Sequence, residues 1–219
     1  TMTENDDTGG SDPCMAHLLI DGHPVDPATV RDVGRFRTSE RARLMDARRR
    51  ISTQKRATMT TKLSETLDRL VAPRPNMRIA AYWPIRGEPD LRGWMTRAHG
   101  AGASVILPVV IEKNAPLVFR LWSPEGAMER GVWNIPVPAD GIEMIPDTVI
   151  SPLVGVDKAC FRLGNGGGYY DRTLARLDPL PKLIGVGFAD CVIPTIFPMP
   201  WDIPMDEVVL ANGTVCHRS

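Results

Sequence analysis

The chain has 219 residues, of which 26 are Lys or Arg and 26 are Asp or Glu, so its formal net charge is zero. A neutral chain of this length can bury a core of its own, and it carries no excess charge to attract nucleic acid or an acidic membrane surface. The four cysteines lack CxxC spacing, which favours neither a zinc site nor a disulfide framework. Without an apolar run near the ~20 residues that span a bilayer or a signal-like opening segment, we expect a cytoplasmic protein.

The N-terminal part of the sequence predicts an extension followed by two helices. Residues 1–34 are acidic and contain little that could pack, so we predict that they are disordered. The segment 37–51 is rich in arginine and places Leu44, Ala47 and Ile51 at helical spacing, which predicts a basic amphipathic helix. A solvated helix face is the plainer explanation of such a charge run. A second helix, capped by Ser52 and ended by Pro73, carries apolar residues every three or four positions.

The middle and C-terminal parts of the sequence predict an α/β fold with a mostly parallel central sheet. Apolar segments that read as strands are 77–83, 104–111, 116–122, 148–157, 182–188 and 207–213. A helix over 91–100 joins the first two strands into a βαβ unit, which implies that they are parallel. Glu88 and Asp90 follow the carboxyl end of the first strand, the edge where ligands bind in open α/β sheets.

The passage 123–140 contains too many Gly and Pro residues for regular structure. Trp133 within it is either a core anchor for that loop or a ring for a planar ligand, and we favour the core.

The segment 162–172, with the sequence RLGNGGGYYDR, is the strongest functional signal in the chain. Its four glycines allow positive φ angles and close approach of the backbone to a ligand, and a helix is predicted to begin near Gly168. Such a loop at a helix N-terminus presents free N–H groups to an anion such as phosphate. A simple tight turn remains the alternative, since the pattern is neither a Walker A loop nor a Rossmann fingerprint. Arg162, the two tyrosines and Asp171 add charge, ring faces and a possible metal ligand.

Five segments together carry a resemblance to a known family. They are RTSERAR from residue 37, YWPIRGEPD at 82–90, WNIP at 133–136, the glycine segment, and WDIPMDEVV at 201–209. In this order they resemble the 5-formyltetrahydrofolate cyclo-ligase family, also called methenyltetrahydrofolate synthetase, over about residues 37–210. The resemblance implies one three-layer α/β domain over 35–215, with helices on both faces of the sheet. It also implies ATP- and Mg²⁺-dependent conversion of 5-formyltetrahydrofolate to 5,10-methenyltetrahydrofolate with release of ADP and phosphate.

The resemblance also implies roles for individual residues. The implied ATP-binding residues are Arg37, Arg41, Arg162, Leu163, Gly164, Asn165, Gly166, Gly167, Gly168 and Tyr170. The implied folate-binding residues are Ile85, Glu88 or Asp90, Trp133, Asn165, Gly166, Gly167, Gly168 and Tyr169. Asp171 and Asp202 fall on the magnesium positions. We expect a monomer that binds these small molecules and neither nucleic acid nor a membrane.

The chemistry needs no side-chain nucleophile, in agreement with the lack of a recognisable catalytic triad. Phosphorylation of the formyl oxygen would make it a leaving group, and phosphoryl transfer depends mainly on charge neutralisation.

Three positions depart from the family pattern: Asn165 replaces an aromatic or basic residue, Cys191 a glutamine, and Val137 a glutamate. These departures leave open a non-catalytic paralogue that binds nucleotide or folate. An RNA-binding module built on the arginine helix is a weaker alternative, because few aromatic residues accompany the arginines.

Overall fold

The computed structural model describes residues 18–20 and 22–219. Its helices are α1 (Pro27–Arg49), α2 (Thr53–Val71), α3 (Arg92–Gly100) and α4 (Tyr169–Leu174). Its first seven strands are β1 (Leu18–Ile20), β2 (His23–Val25), β3 (Arg78–Ala80), β4 (Ser104–Val109), β5 (Val118–Leu121), β6 (Met128–Arg130) and β7 (Pro136–Pro138). The remaining strands are β8 (Thr148–Pro152), β9 (Gly155–Val156), β10 (Arg162–Leu163), β11 (Lys182–Gly187), β12 (Glu207–Leu210) and β13 (Val215–His217).

Seven strands form the central sheet in the order β13-β12-β11-β8-β3-β4-β5. The inner neighbours β12, β11, β8, β3 and β4 pair in parallel, whereas β13 and β5 are antiparallel at the two edges. The prediction of an α/β fold with a mostly parallel sheet is therefore confirmed. The edge strand β13 was not predicted, because its residues Val215–His217 lack an apolar alternation.

The sheet is covered on both faces, as its alternating side chains require. Ile79 of β3 packs in one cluster with Leu63 and Leu67 of α2 and Trp94 of α3. The next residue, Ala80, belongs to the opposite cluster, which includes Leu174 of α4. The carboxyl ends of the parallel strands are left free of these helices, and the loops that follow them build the site described below.

Helix α1 packs away from the sheet, on the segments that follow β8. Its buried Leu44 contacts a small cluster containing Val154, Leu163 and Ile196. This packing places the arginine-rich side of α1 next to the glycine segment. The turn between α1 and α2 carries the predicted cap, because the Ser52 hydroxyl accepts a hydrogen bond from the backbone N–H of Lys55 at 3.2 Å.

The N-terminal prediction needs correction. The disorder predicted for residues 1–34 is wrong for the described part, where β1 and β2 form an antiparallel hairpin and α1 begins at Pro27. The predicted boundary between residues 34 and 35 falls inside α1, and residues 1–17 lie outside the described part. Asp26 caps the helix by accepting hydrogen bonds from the N–H groups of Ala28 and Thr29, at 3.2 and 2.9 Å. An Asp cap followed by Pro at the first helical position is a strong signal for a helix start. It was missed because the acidic composition of the segment was taken as a sign of disorder.

Other predicted elements are shorter or divided. The strand predicted over 148–157 ends at Pro152, and residues 155–156 pair instead with β10. The irregular passage 123–140 contains the small antiparallel pair of β6 and β7. None of the described helices combines the length and the apolar character needed to cross a membrane.

Candidate functional site

A cavity of about 1230 Å³ opens at the carboxyl ends of β3, β4 and β8. Residues at or just beyond the ends of these strands line it, including Tyr82, Pro108 and Pro152. Further walls come from α1, the glycine segment, residues 133–136 and residues 200–203. The position agrees with the rule that open α/β sheets bind ligands beyond the carboxyl ends of their strands.

The glycine segment presents bare backbone to this cavity. Gly166 and Gly168 have φ angles of +100° and +66°, which other residues rarely adopt. A Cβ atom on Gly164 would lie 2.6 Å from Nη1 of Arg162, and one on Gly167 would lie 2.7 Å from the Tyr169 ring. Side chains at these positions would therefore collide with Arg162 or with the Tyr169 ring. The loop is an open cradle with room for an anionic group.

Three arginines surround the cradle. Arg41 of α1 donates from Nε to the Gly164 carbonyl at 2.8 Å, and Arg172 donates to the Gly167 carbonyl. Arg162 lies 4.8 Å above the Tyr170 ring. Within the described part of the chain, the buried Nε of Arg162 and Nη1 of Arg172 have no hydrogen-bond partner. Burial lowers the pKa of Arg41, as do the neighbouring charges of Arg37 and Arg162. Such a cluster of like charges favours an anionic ligand.

Glu88 lies at the other side of the cradle and is 7% exposed. Its carboxyl oxygens accept hydrogen bonds from the Ile85 backbone N–H at 3.0 Å and from Nδ2 of Asn165 at 3.3 Å. Burial raises the pKa of Glu88, and these hydrogen bonds oppose the rise. Arg56 of α2 holds the same turn by donating to the Gly87 carbonyl at 2.8 Å.

Asp90, the other acidic candidate, does not line the cavity. It forms an ion pair with Arg92 at 2.6 Å instead. The sequence placed Glu88 and Asp90 in one turn and left the choice between them open. The structure turns Glu88 toward the cavity and leaves Asp90 beside Arg92 at the start of α3.

Trp133 is exposed to 61%, so the interpretation of this residue as a core anchor is wrong. Its ring stands edge-on to that of Tyr169, with 5.6 Å between centroids, and both line the cavity. The guanidinium of Arg172 lies 5.1 Å from the Tyr169 ring on the same wall. Trp133 has a φ angle of +54°, in a single turn of 3-10 helix that projects it from the small β6–β7 sheet. The wall offers exposed ring faces to a planar ligand.

The two aspartates predicted to bind magnesium line the cavity but are engaged differently. Asp202 accepts hydrogen bonds from Arg37 through both oxygens and from the Met199 backbone N–H. Asp171 accepts from the Ile203 N–H through Oδ1, while its Oδ2 is 3.7 Å from Arg162. Oδ2 of Asp171 faces Arg162 but accepts no hydrogen bond from the described residues, so its lone pairs suit a hard cation, whereas Asp202 would need Arg37 to move. No cluster of three or more metal-binding side chains occurs among residues 18–20 and 22–219.

All of the site residues predicted from the sequence line this cavity except Asp90. Cys191 and Val137, two of the departures from the family pattern, are buried outside it. No role was predicted for Arg172, although it lies in the glycine segment. None was predicted for Arg56 or His23 either, because neither residue belongs to a local pattern.

Comparisons with known proteins agree with these features. A family model described as the 5-formyltetrahydrofolate cyclo-ligase family matches residues 34–211. A 5-formyltetrahydrofolate cyclo-ligase of Escherichia coli K12 is 34% identical over 139 residues, which cover 60% of this chain and 76% of that protein. The protein of the same name from Mycolicibacterium smegmatis is 32% identical over 149 residues, covering 64% and 77%.

Solved structures give the same picture. The 5,10-methenyltetrahydrofolate synthetase of Aquifex aeolicus superposes with a TM-score of 0.71 and 28% identity, covering 83% of this chain and 92% of that one. A synthetase of the same name from Mycoplasma pneumoniae, at 24% identity and a TM-score of 0.61, shares the fold over 78% of this chain and 96% of its own.

Proposed function

The chain belongs to the 5-formyltetrahydrofolate cyclo-ligase family and is an enzyme of that class, and we propose that it converts 5-formyltetrahydrofolate to 5,10-methenyltetrahydrofolate with ATP and magnesium. The products are ADP and phosphate. The observation that supports this most is the hydrogen bond between Asn165 and Glu88. It joins an anion cradle and a buried carboxyl group in one cavity, so that phosphate and folate would meet there.

The cradle of residues 164–168 and its arginines would bind the triphosphate. Backbone N–H groups of such loops and the positive end of α4 favour phosphate oxygens. Arg41 and Arg162 would spread positive charge over the γ-phosphoryl group, whose oxygens carry the charge of the transition state. The buried nitrogens of Arg162 and Arg172 support this role, because each is a donor for which the described residues offer no acceptor.

Glu88 and the exposed rings would bind the folate. Each Glu88 oxygen has a lone pair beyond the hydrogen bond it already accepts, and pterin N–H groups are suitable donors to it. The rings of Trp133 and Tyr169 would flank the planar part of the substrate. Burial would hold the pterin away from water while the formyl group faces the cradle.

The reaction proceeds in two steps that need no covalent bond to the protein. The formyl oxygen attacks the γ-phosphorus, the bond to the bridging oxygen breaks, and ADP leaves. The second nitrogen of the folate then attacks the formyl carbon, the carbon–oxygen bond breaks with loss of phosphate, and the nitrogen gives up its proton. The arginine-lined cradle would stabilise the charge that develops on phosphate in both steps.

Asp171 and Asp202 would hold the magnesium ion together with the phosphates. Bound magnesium would neutralise charge on the transferring phosphoryl group. The free lone pairs on Oδ2 of Asp171 suit such an ion, and Asp202 would become available as Arg37 turns from it toward a phosphate. That the enzyme acts as a monomer stays a prediction. The cytoplasmic location stays a prediction.

The test is to mix the protein with 5-formyltetrahydrofolate, ATP and magnesium and to follow the absorbance of the methenyl product. We expect turnover that requires all three components. Arg41→Ala should raise KM for ATP, whereas Arg49→Ala, an exposed arginine of the same helix outside the cavity, should not. Nucleotide binding without any methenyl product would contradict the proposed activity and favour the non-catalytic paralogue.

A further inference from the structure

The hairpin of β1 and β2 lies ahead of the region that the family model matches, which begins at residue 34. One of its side chains nevertheless reaches the cavity, because His23 is among the lining residues. The relationship to the family therefore assigns nothing to this residue. Its contact with the cavity is a property of this chain.

The hairpin is anchored to the rest of the domain on the C-terminal side of His23. Ile20 pairs with His23 across the hairpin, and the Val25 side chain is buried, with 7% of its surface exposed. Residues two apart in a strand share one face, so His23 projects on the same side as the buried Val25. Asp26, the next residue, caps α1 through the N–H groups of Ala28 and Thr29. The imidazole is exposed at the edge of the cavity, on a hairpin that the buried Val25 and the cap at Asp26 connect to the domain.

Helix α1 gives the order of the groups along the cavity. Arg48, near its C-terminal end, lies beside the turn that carries Glu88, because Arg56 donates hydrogen bonds to the carbonyls of both Arg48 and Gly87. Arg41 contacts the cradle at Gly164, and it is about 10 Å farther along the axis at 1.5 Å per residue. Arg37 is about 6 Å beyond Arg41. His23 precedes the first turn of the helix, so it approaches the cavity from the end farthest from Glu88.

This order fixes which way a nucleotide would lie. The γ-phosphoryl group must meet the formyl group of the folate, which the proposed function places beside Glu88. The remaining phosphates then follow the cradle toward Arg37, and the nucleoside points to the N-terminal end of α1. We propose that His23 contacts the nucleoside part of ATP, so that the hairpin of residues 18–25 adds a wall to the nucleotide site. This inference rests on the proposed function for the orientation of the nucleotide.

The imidazole suits this part of the ligand. It offers one donor and one acceptor to a ribose hydroxyl or a base edge, and its flat ring can stack on a base. Inorganic tripolyphosphate carries the same phosphates and lacks the nucleoside. Comparing the two ligands therefore separates a contact with the nucleoside from a contact with phosphate.

The experiment measures dissociation constants of ATP and of tripolyphosphate by calorimetry for the full chain and for His23→Ala. We expect His23→Ala to weaken ATP binding about fivefold to tenfold, as for the loss of one hydrogen bond, and to leave tripolyphosphate binding unchanged. His23→Gln should recover part of the loss. The control is His217→Ala, on the distant edge strand β13, where the imidazole is 66% exposed beside Glu207. It should bind both ligands as the wild type does.

Equal ATP affinity in His23→Ala and wild type would overturn the inference, and so would an equal loss for both ligands. A wild-type chain that binds no ATP would overturn both this inference and the proposed function. If the methenyl assay shows no turnover while His23→Ala still loses affinity for ATP alone, the wall is supported and the proposed reaction fails.

Discussion

Glu88 and Arg48 are oppositely charged side chains buried beside the cavity, and no hydrogen bond joins them in the part of the chain that the structure describes. Arg48 is 6% exposed, and none of its three side-chain nitrogens has a hydrogen-bond partner among residues 18–20 and 22–219. Burial lowers the pKa of Arg48, while the charge of Glu88 opposes that change. Burial raises the pKa of Glu88, and the charge of Arg48 is among the effects that oppose this rise. Each charge partly offsets the cost of burying the other, and such mutually perturbed groups are typical of functional sites.

Replacing Glu88 should change how the free energy of unfolding depends on pH, because a buried carboxylate is costly to ionise. The pKa of Glu88 is higher in the folded than in the unfolded chain, so its ionisation weakens the fold as the pH rises through the folded value. Glu88→Gln removes that ionisation. We expect the free energy of unfolding of this variant to match that of the wild type near pH 4 and to exceed it increasingly toward neutral pH. At neutral pH the variant should also have a higher KM for the folate than the wild type. Denaturant titrations at several pH values measure the difference.

The matched control for this series is Glu125→Gln, because Glu125 is exposed and lies outside the cavity. The difference in the free energy of unfolding between this control and the wild type should not change with pH. A Glu88→Gln variant that is less stable than wild type at every pH would show that Glu88 is a stabilising anion, held ionised by Arg48.

The two cavity aspartates give a second prediction about single side chains. Asp171→Asn should raise the magnesium concentration needed for half-maximal rate, because the amide is a weaker ligand for a hard cation. Asp202→Asn should raise it as well and should also weaken the hold on Arg37. The rate is measured against magnesium at saturating ATP and folate. Magnesium titrations of both variants that coincide with that of the exposed control Asp140→Asn would exclude a metal role.

Helix α1 and the glycine segment are the elements that make the site, and the sequence predicted them unequally. The glycine spacing of 164–168 predicted both a close approach of backbone and the start of α4, because only glycine tolerates φ angles such as those of Gly166 and Gly168. The start of α1 was missed, since the cap at Asp26 lies in an acidic segment without periodicity. Trp133 was misassigned because composition does not tell which way a loop projects its side chain.

Gly166→Val tests the glycine segment as an element. The valine would adopt a φ angle of about +100° at a cost of order 1–3 kcal/mol, and its methyl groups would displace Arg41, whose Cζ would lie 3.4 Å from the new Cβ. We expect turnover and ATP binding to be lost in a chain that still folds, as shown by its circular dichroism. Gly141→Val is the control, because a Cβ there meets nothing within 4 Å. ATP affinity that is unchanged in Gly166→Val would mean that the loop is a simple turn.

In the whole molecule, the cavity joins segments that are far apart in sequence. Periodicity predicted the central strands and, with them, the edge of the sheet where ligands bind, because each strand carries its own pattern. Pairings across the cavity have no such local signal. Arg37 and Asp202 are 165 residues apart, and the ion pair between them depends on how α1 packs on Ile196 and its neighbours. Asn165 and Glu88 are likewise far apart in sequence, and their hydrogen bond joins the proposed phosphate-binding loop to the proposed folate-binding carboxyl group.

Because α1, the cradle and the loops after β3 and β8 all line the cavity, a bound nucleotide should stabilise the whole domain against unfolding. A ligand present at 100 times its Kd adds about 2.7 kcal/mol to the free energy of unfolding. For a domain of this size each kcal/mol shifts the melting temperature by roughly 2–4 °C, so ATP with magnesium should raise it by about 5–10 °C.

Arg41→Ala should lose most of this shift at the same ATP concentration, since Arg41 joins α1 to the cradle at Gly164. Arg49→Ala, exposed on the same helix, should keep it. Thermal melts with and without ATP measure the shift within each variant, so a change in the stability of the free protein does not enter the comparison. An equal shift in both variants would show that the nucleotide binds away from the cradle.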